Sequence, residues 1–295
     1  MAHHYADLNE VTLHYVSEGS GKLLLFLHGF PQFWYEWKGQ LSEFGQDYHA
    51  VAPDMRGYNL SSKPRAVDDY AIPKIVDDIR QLITHLGHDR CTLVGHDWGG
   101  VIAWSFAGRY PDVLDRLVVI NCPHPAIFRR ELRHNSDQQK ASQYFNLFRS
   151  DSGAETLLKD DCAALRRILL RMGLAEGYFD EQDEKEYVKA WTQSGAIQAG
   201  LNYYKMLPLS PDPKEAAGMS RAFDEAFPGL TIEVPTLVIW GERDRAMMVE
   251  NLNGLDAYVP ELSIVSIREG SHWVPNEHSD RVNAEIRRFT GSNVP

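Results

Sequence analysis

The chain has 295 residues, enough for one large domain or for a core that carries a smaller inserted domain. Its 41 acidic and 30 basic residues give a net charge of −11, which disfavours nucleic acid or an anionic membrane as the main partner. The sequence has no apolar run near the roughly 20 residues of a membrane helix, and its N-terminus lacks signal-peptide features. With only three cysteines, we expect a cytoplasmic protein with reduced thiols.

Short apolar runs alternate with helical patterns along the first 124 residues. Strands are predicted at residues 11–16, 22–27, 50–52, 91–94 and 117–120, and helices at 75–86 and around 101–107. Continuous apolar strands that are separated by helices indicate a parallel sheet covered on both faces. The sequence therefore predicts an α/β fold with a doubly wound, mostly parallel sheet.

The pattern changes after residue 124. Residues 125–227 show helical spacing, as at 160–171 and 181–193, before strand patterns return at 236–240 and 263–267 and a last helix follows at about 278–289. We predict a core of residues 1–124 and 228–295 and an inserted helical cap domain of residues 125–227. Ligands of such sheets bind at the carboxyl ends of the strands, so the insertion is expected to cover that site.

The segment CTLVGHDWGGVIAW contains the central motif. An apolar strand runs through Gly95, Asp97 and Gly99 directly into a helix. Two glycines four residues apart around a nucleophile are typical of the strand–turn–helix elbow of hydrolases, with aspartate here in the place of the usual serine. An aspartate at this position is otherwise interpreted as a helix N-cap.

The segment LLLFLHGFPQFWYEW predicts the partner loop of that elbow. In this fold, the loop after the strand and the residue after the nucleophile each supply a backbone N–H to an oxyanion hole. These donors are predicted to be Phe30 and Trp98. The peptide bond before Pro31 is a candidate for the cis isomer, and Trp34 is a candidate either for packing or for substrate contact.

Two later strands each end beside an ionisable residue. A Gly-x-x-Asp turn follows the strand predicted at 236–240 and places Asp244. The strand predicted at 263–267 leads into a Gly-Ser-His turn that places His272. The order Asp97, Asp244, His272 is the nucleophile–acid–histidine order of this fold. Asp244 is expected to orient the imidazole and to stabilise its cation, with Glu242 as the alternative acid.

An aspartate nucleophile restricts the chemistry. A carboxylate is already charged at neutral pH, and it can displace a leaving group from saturated carbon to form an ester that His272-activated water then hydrolyses. The substrate is therefore expected to be an apolar epoxide or alkyl halide, with water as co-substrate. An opening epoxide needs a proton donor, for which the cap offers Tyr144 and Tyr204. Because the sequence lacks the common metal and phosphate motifs, we predict no metal and no cofactor.

The motifs together resemble those of the α/β-hydrolase-fold epoxide hydrolases. The matching segments are HGFPQFWYEW, APDMRGYNLSSKP, GHDWGGVIAW, NCPHP, LNYYK, WGERD and GSHW, and they span most of the chain. The resemblance implies a cofactor-independent hydrolase that opens epoxides to vicinal diols. It places the nucleophile at Asp97, the acid at Asp244, the base at His272, and the tyrosine pair at Tyr204 and Tyr144.

Further residues in these loops and in the cap are predicted to contact the substrate. They are Pro31, Trp34, Phe145, Tyr203 and Trp273. A homodimer is compatible with the sequence, which does not determine the oligomeric state.

Two related enzyme groups and one non-enzymatic role are alternatives. Haloalkane dehalogenases share Asp-Trp-Gly but bind the halide with a second donor, for which this chain offers the cap residue Trp191. Fluoroacetate dehalogenases carry arginines where this chain has Trp98 and Val101, and a His-Trp pair where it has Phe145-Asn146. A ligand-binding protein without turnover is the third alternative, since the fold does not determine the function.

Overall fold

The computed structural model describes residues 1–291, which form one eight-stranded sheet with helices on both faces. The strands are β1 (Ala2–Asp7), β2 (Thr12–Glu18), β3 (Leu23–Leu27), β4 (His49–Pro53), β5 (Cys91–His96), β6 (Leu114–Ile120), β7 (Thr236–Gly241) and β8 (Leu262–Ile267), in the order β1-β2-β4-β3-β5-β6-β7-β8. Strand β2 is antiparallel to both of its neighbours, and β3 to β8 are mutually parallel. The predicted mostly parallel sheet is confirmed.

Five helices surround the sheet directly. They are α1 (Lys38–Phe44), α2 (Ile72–His85), α3 (Trp98–Arg109), and, numbered after the intervening helices, α13 (Val274–Glu277) and α14 (Ser279–Thr290). Every side chain of β3 is buried, and successive residues point to opposite faces. Leu25 packs in one apolar cluster with Ile79, whereas Phe26 packs in the other with Trp37. The continuous apolar runs of the sequence therefore reflect strands that are covered by helices on both faces of the sheet.

Within residues 1–291, nine α-helices lie between β6 and β7. They are α4 (Pro125–His134), α5 (Ser136–Ala141), α6 (Tyr144–Arg149), α7 (Gly153–Leu165), α8 (Arg171–Glu176), α9 (Glu181–Trp191), α10 (Ala196–Met206), α11 (Pro213–Ala217) and α12 (Ser220–Ala226). Helix α7 is interrupted at residues 159–162, where the backbone leaves helical angles, so the helical spacing predicted over 160–171 does not form one helix. Among the described residues, none between 125 and 227 belongs to a strand.

The first strand was missed by the sequence analysis. Strand β1 is an edge strand with the polar sequence AHHYAD, and Ala6 is its one buried residue. Because apolar alternation is the main sequence signal for a strand, such an edge is not visible without its neighbour. Within residues 1–291, no helix has both the length and the apolar character needed to cross a membrane.

The turn between β5 and α3 requires two glycines. A Cβ atom on Gly99 would lie 2.0 Å from the Leu27 carbonyl oxygen, and one on Gly95 would lie 2.3 Å from the Gly99 carbonyl oxygen. Helix α3 therefore starts in close backbone contact with β3, and the intervening Asp97 takes the unusual angles φ 48° and ψ −118°. This close approach explains the glycine spacing of the motif.

Replacement of Gly99 by alanine should destabilise the fold. The added methyl group meets backbone that cannot move aside, so we expect Gly99→Ala to lower the free energy of unfolding by about 3 kcal/mol, at the upper end of overpacking costs. Gly218→Ala is the matched control, because its Cβ would lie 3.8 Å from the Glu215 carbonyl oxygen, an ordinary van der Waals contact, and its φ is −83°. Chemical denaturation measures both, and equal midpoints for the two variants would contradict the explanation.

Candidate active site

Asp97 lies at the carboxyl end of β5 with its two carboxylate oxygens in different surroundings. The Phe30 N–H donates a hydrogen bond of 2.8 Å to Oδ1, and Oδ2 lies 3.5 Å from His272 Nε2. The Phe30–Pro31 peptide bond is cis. Trp98 is the first residue of α3, where a backbone N–H has no intrahelical acceptor. One oxygen thus accepts the Phe30 N–H while the other faces the imidazole.

Asp244 and His272 meet at the neighbouring strand ends. His272 Nδ1 lies 2.7 Å from Asp244 Oδ2, which also accepts a hydrogen bond of 2.8 Å from Asn121 Nδ2. The backbone N–H groups of Ala246 and Met247 donate to the other oxygen, at 2.7 and 3.0 Å. The carboxylate of Asp244 is therefore held by four donors.

Two further observations concern the acid. Glu242, the alternative acid, is exposed to solvent. Asn121 was missed by the sequence analysis, although it is the first residue of the NCPHP segment after β6. Its Oδ1 accepts the Gly241 N–H at 2.8 Å, so it joins the ends of β6 and β7 beneath Asp244.

The three ionisable groups shift one another's pKa values. Burial opposes a charge on His272, but Asp244 and then Asp97 outweigh this effect and raise the pKa of His272 to about 10. Burial would raise the pKa of Asp97, but the hydrogen bond and charge of His272 hold that pKa below its ordinary value. The pKa of Asp244 is lowered for the same reason. The resting site therefore contains two carboxylates around one imidazolium.

A buried pair behind the triad was also missed as a unit. His96 Nε2 lies 2.8 Å from the His272 carbonyl oxygen, and His96 Nδ1 lies 2.6 Å from Glu36 Oε1. The other oxygen of Glu36 accepts the Gly29 N–H at 3.0 Å. Both side chains are fully buried. The pair connects the backbone of the imidazole loop to the loop that carries Phe30.

Asp97 opens into an apolar cavity beneath the helices between β6 and β7. Five residues predicted for the site line it: Asp97, Trp98, Tyr144, Phe145 and Tyr204. The lining also includes residues that the sequence analysis missed, among them Val101, Cys122, Phe128, Leu207, Leu209 and Met247.

Tyr144 and Tyr204 come from different helices, α6 and α10, and meet at the cavity. Their ring centroids lie 6.0 Å apart, and the Tyr204 ring lies 5.1 Å from the Trp98 ring. Burial, and then the charge of Asp97, raise the pKa of both phenols well above the ordinary value. Both hydroxyl groups therefore keep their protons at neutral pH.

Four residues predicted to contact the substrate, Pro31, Trp34, Tyr203 and Trp273, do not line this cavity. Tyr203 is turned away because adjacent residues of a helix point about 100° apart, and its hydroxyl donates to the Arg56 carbonyl at 2.7 Å. Trp273 packs edge-on against the imidazole, with its ring 4.8 Å from that of His272. Trp34 packs against His3, with ring centroids 5.3 Å apart.

Pro31 and Trp191 form a contact of their own. The indole Nε1–H of Trp191 donates to the Pro31 carbonyl oxygen at 2.6 Å, and both residues line a separate small cavity. The one cap tryptophan that the sequence offered as a second halide donor therefore has its N–H engaged elsewhere.

Comparison with known proteins agrees with this geometry. The family described as the alpha/beta hydrolase fold matches residues 22–279. Epoxide hydrolase 1 of Caenorhabditis elegans is 35% identical and aligns over 97% of this chain and 69% of its own length. Epoxide hydrolase 4 of Mus musculus is 34% identical, over 94% and 75% respectively.

Solved structures agree as well. A mutant of an epoxide hydrolase from Bacillus megaterium superposes with a TM-score of 0.92 at 40% identity, over 98% of this chain and 100% of that one. Another mutant from that organism, in complex with its product (R)-3-[1]naphthyloxy-propane-1,2-diol, gives a TM-score of 0.90 at 38% identity with the same coverage. By sequence and by structure, the chain belongs to the epoxide hydrolases of the α/β-hydrolase fold.

Proposed function

We propose that this protein hydrolyses epoxides to vicinal diols through a covalent ester on Asp97. The observation that carries the proposal is the apolar cavity in which one ionised carboxylate is enclosed together with two protonated phenols. A nucleophile and acids of this kind, without bulk water between them, suit the opening of a neutral strained ether. The names of the relatives support the same reaction.

The first step uses Oδ2, the oxygen of Asp97 that does not accept the Phe30 N–H. Asp97 Oδ2 attacks a ring carbon of the epoxide, and the new ester C–O bond forms as the ring C–O bond breaks. The departing oxygen takes a proton from Tyr144 or Tyr204. Loss of the Asp97 charge lowers the pKa of His272, whose proton then neutralises the phenolate.

The second step uses the neutral imidazole that the first step creates. His272 removes a proton from a water molecule, whose oxygen attacks the ester carbon of Asp97. The N–H groups of Phe30 and Trp98 stabilise the oxyanion on Oδ1, and loss of one such donor typically costs about 3–4 kcal/mol. When the ester bond breaks, one water proton is on the diol oxygen and the other is on His272.

Residues 125–227 are proposed to act as the cap domain of this reaction. They supply both tyrosines and most of the apolar cavity wall, including Phe128, Phe145 and Leu207. An apolar epoxide is therefore the proposed substrate, with water as the second reactant. Halide displacement is disfavoured because the Trp191 N–H is bound to the Pro31 carbonyl.

The variant His272→Gln should accumulate the ester. Without the base, the alkylated Asp97 is not hydrolysed, and incubation with 1-naphthyl glycidyl ether should raise the intact protein mass by the mass of the whole epoxide. Peptide mapping should place the adduct on Asp97. Asp97→Ala in the same background is the control and should take up no epoxide. An alkyl adduct formed from a bromoalkane alone would identify a dehalogenase instead.

Neighbouring tyrosines provide a matched test of proton donation. Tyr204→Phe removes a cavity phenol, and we expect the alkylation rate to fall by about 10²-fold or more, as for loss of a general acid. Tyr203→Phe removes an adjacent hydroxyl that contacts only the Arg56 carbonyl among the described hydrogen bonds, so its alkylation rate should stay near that of the wild type. Single-turnover adduct formation measures both, and equal losses would contradict the assignment.

The pH dependence of alkylation should change when the imidazolium is removed. Burial alone raises the pKa of Asp97, and the His272 cation reverses that effect. In His272→Gln the Phe30 N–H still lowers the pKa of Asp97, but the larger opposing effect of His272 is lost, so the midpoint of the alkylation rate should move to higher pH than in the wild type. Rapid-quench mass measurements from acid to neutral pH give both midpoints. A midpoint that does not move would show that His272 does not hold Asp97 ionised.

A further inference from the structure

Arg149 is the last residue of α6, five positions after Tyr144, and its guanidinium holds three backbone carbonyls. Its Nε donates to the Tyr204 carbonyl oxygen at 2.8 Å. Its Nη2 donates to the carbonyl oxygens of Leu207 and Leu209 at 3.1 and 2.6 Å. The side chain is 18% exposed. One cation thus joins the helix of one cavity tyrosine to the helix end of the other and to two residues of the cavity wall.

The Tyr204 carbonyl needs such a donor because of the sequence that follows it. In a continuing helix this carbonyl would accept the N–H of residue 208, but residue 208 is a proline and has no N–H. Helix α10 ends at Met206, so its last carbonyl groups have no N–H partner within the helix. A cation at a helix C-terminus is also favoured by the helix dipole. Arg149 therefore fixes the turn of helix that carries the Tyr204 side chain.

The charge of Arg149 also acts on Tyr144. Burial is the largest effect on the phenol and raises its pKa, whereas the guanidinium opposes that rise. The ring of Phe145, which lies between the two in sequence, has its centroid 5.1 Å from Arg149 Cζ. A cation near a phenol stabilises the phenolate that forms when the proton is given up.

We infer that Arg149 is a positioning residue for epoxide opening, holding Tyr204 in place through its backbone. The inference rests on the proposed function, since it concerns the proton donors of that reaction. It assigns Arg149 no part in ester hydrolysis, because that step depends on His272 and on the backbone donors of the core. The two steps should therefore respond differently to a change at this position.

The test compares Arg149→Met with Arg166→Met. Arg166 is another partly buried arginine between β6 and β7, bound to the Asp161 carbonyl and to Glu184, and it does not line the cavity. In single-turnover experiments with 1-naphthyl glycidyl ether, Arg149→Met should slow alkylation of Asp97 by roughly 10- to 100-fold, the cost of misplacing a reacting group by about 1 Å. Hydrolysis of the ester should stay near the wild-type rate, and Arg166→Met should change neither step.

A second comparison separates positioning from a general loss of structure. In the background Tyr144→Phe/Tyr204→Phe, where both donors are absent, adding Arg149→Met should slow the residual alkylation very little, because coupled residues are not additive. An undiminished effect there, or equal slowing of both steps, would overturn the inference. If Arg149→Met does not fold, Arg149→Lys decides, because a single ammonium cannot reproduce the three-carbonyl fork and should still slow alkylation alone.

Failure of the inference can be told apart from failure of the proposed function. If His272→Gln takes up no epoxide at all, the proposed reaction is wrong and Arg149 has no step to support. If His272→Gln forms the adduct and Arg149→Met alkylates as fast as Arg166→Met, the proposed function stands and the role of Arg149 is refuted.

Discussion

The site depends on keeping a carboxylate ionised inside an apolar cavity. Asp97 is 8% exposed and shares its cavity mainly with apolar and aromatic side chains, where an isolated charge is strongly disfavoured. Two features offset this cost: the Phe30 N–H on one oxygen and the imidazolium of His272 beside the other. Asp244 keeps that imidazolium charged, and four donors fix Asp244 in turn. The strand ends, the glycine elbow and Asn121 all serve this balance of charges.

The same balance gives the proposed reaction its order. While Asp97 is ionised, His272 is protonated and cannot act as a base, so water is not activated before an ester exists. Alkylation removes one of the two negative charges that raise the pKa of His272. The base therefore becomes available when its substrate, the ester, has formed. In this scheme the three side chains need no large movement between the two steps, because the change in charge alone alters what each can do.

The sequence predicted the core of the site well because parallel strands end at one edge of a sheet. Asp97, Asp244 and His272 follow three different strands, and their chain order is enough to bring them together. Side-chain direction in the cap was harder to predict. Tyr203 and Tyr204 are adjacent and chemically alike, yet only Tyr204 lines the cavity. Trp34 and Trp273 lie in the loops that carry Phe30 and His272, but their side chains do not line the cavity. Which of them reaches the cavity depends on packing between helices that no local pattern specifies.

The sequence also did not predict the buried polar side chains that hold the site residues in place. Glu36 and Asn121 belong to the HGFPQFWYEW and NCPHP segments, but no local pattern predicts that Glu36 meets His96 or that Asn121 donates to Asp244. Arg149 belongs to none of the matching segments and lies far in sequence from Tyr204. In hindsight one local signal existed for Arg149: a proline four residues after Tyr204 leaves a carbonyl that some distant donor must satisfy. A sequence can therefore show that a carbonyl lacks its helical donor. It cannot show which side chain donates instead, because many arginines are available.

Core and cap contribute different parts of the proposed chemistry. The core alone holds a nucleophile, a base with its acid, and a backbone oxyanion hole, which is the equipment for making and hydrolysing an ester. In the proposed scheme this set does not protonate the departing alkoxide, because the His272 imidazolium lies against Asp97 and Asp244. Tyr144 and Tyr204 supply that proton from helices between β6 and β7, and they do so inside a wall whose carbonyls Arg149 holds. In the proposed scheme, the inserted helices therefore determine the substrate class, whereas the groups at the strand ends determine the order of the two steps.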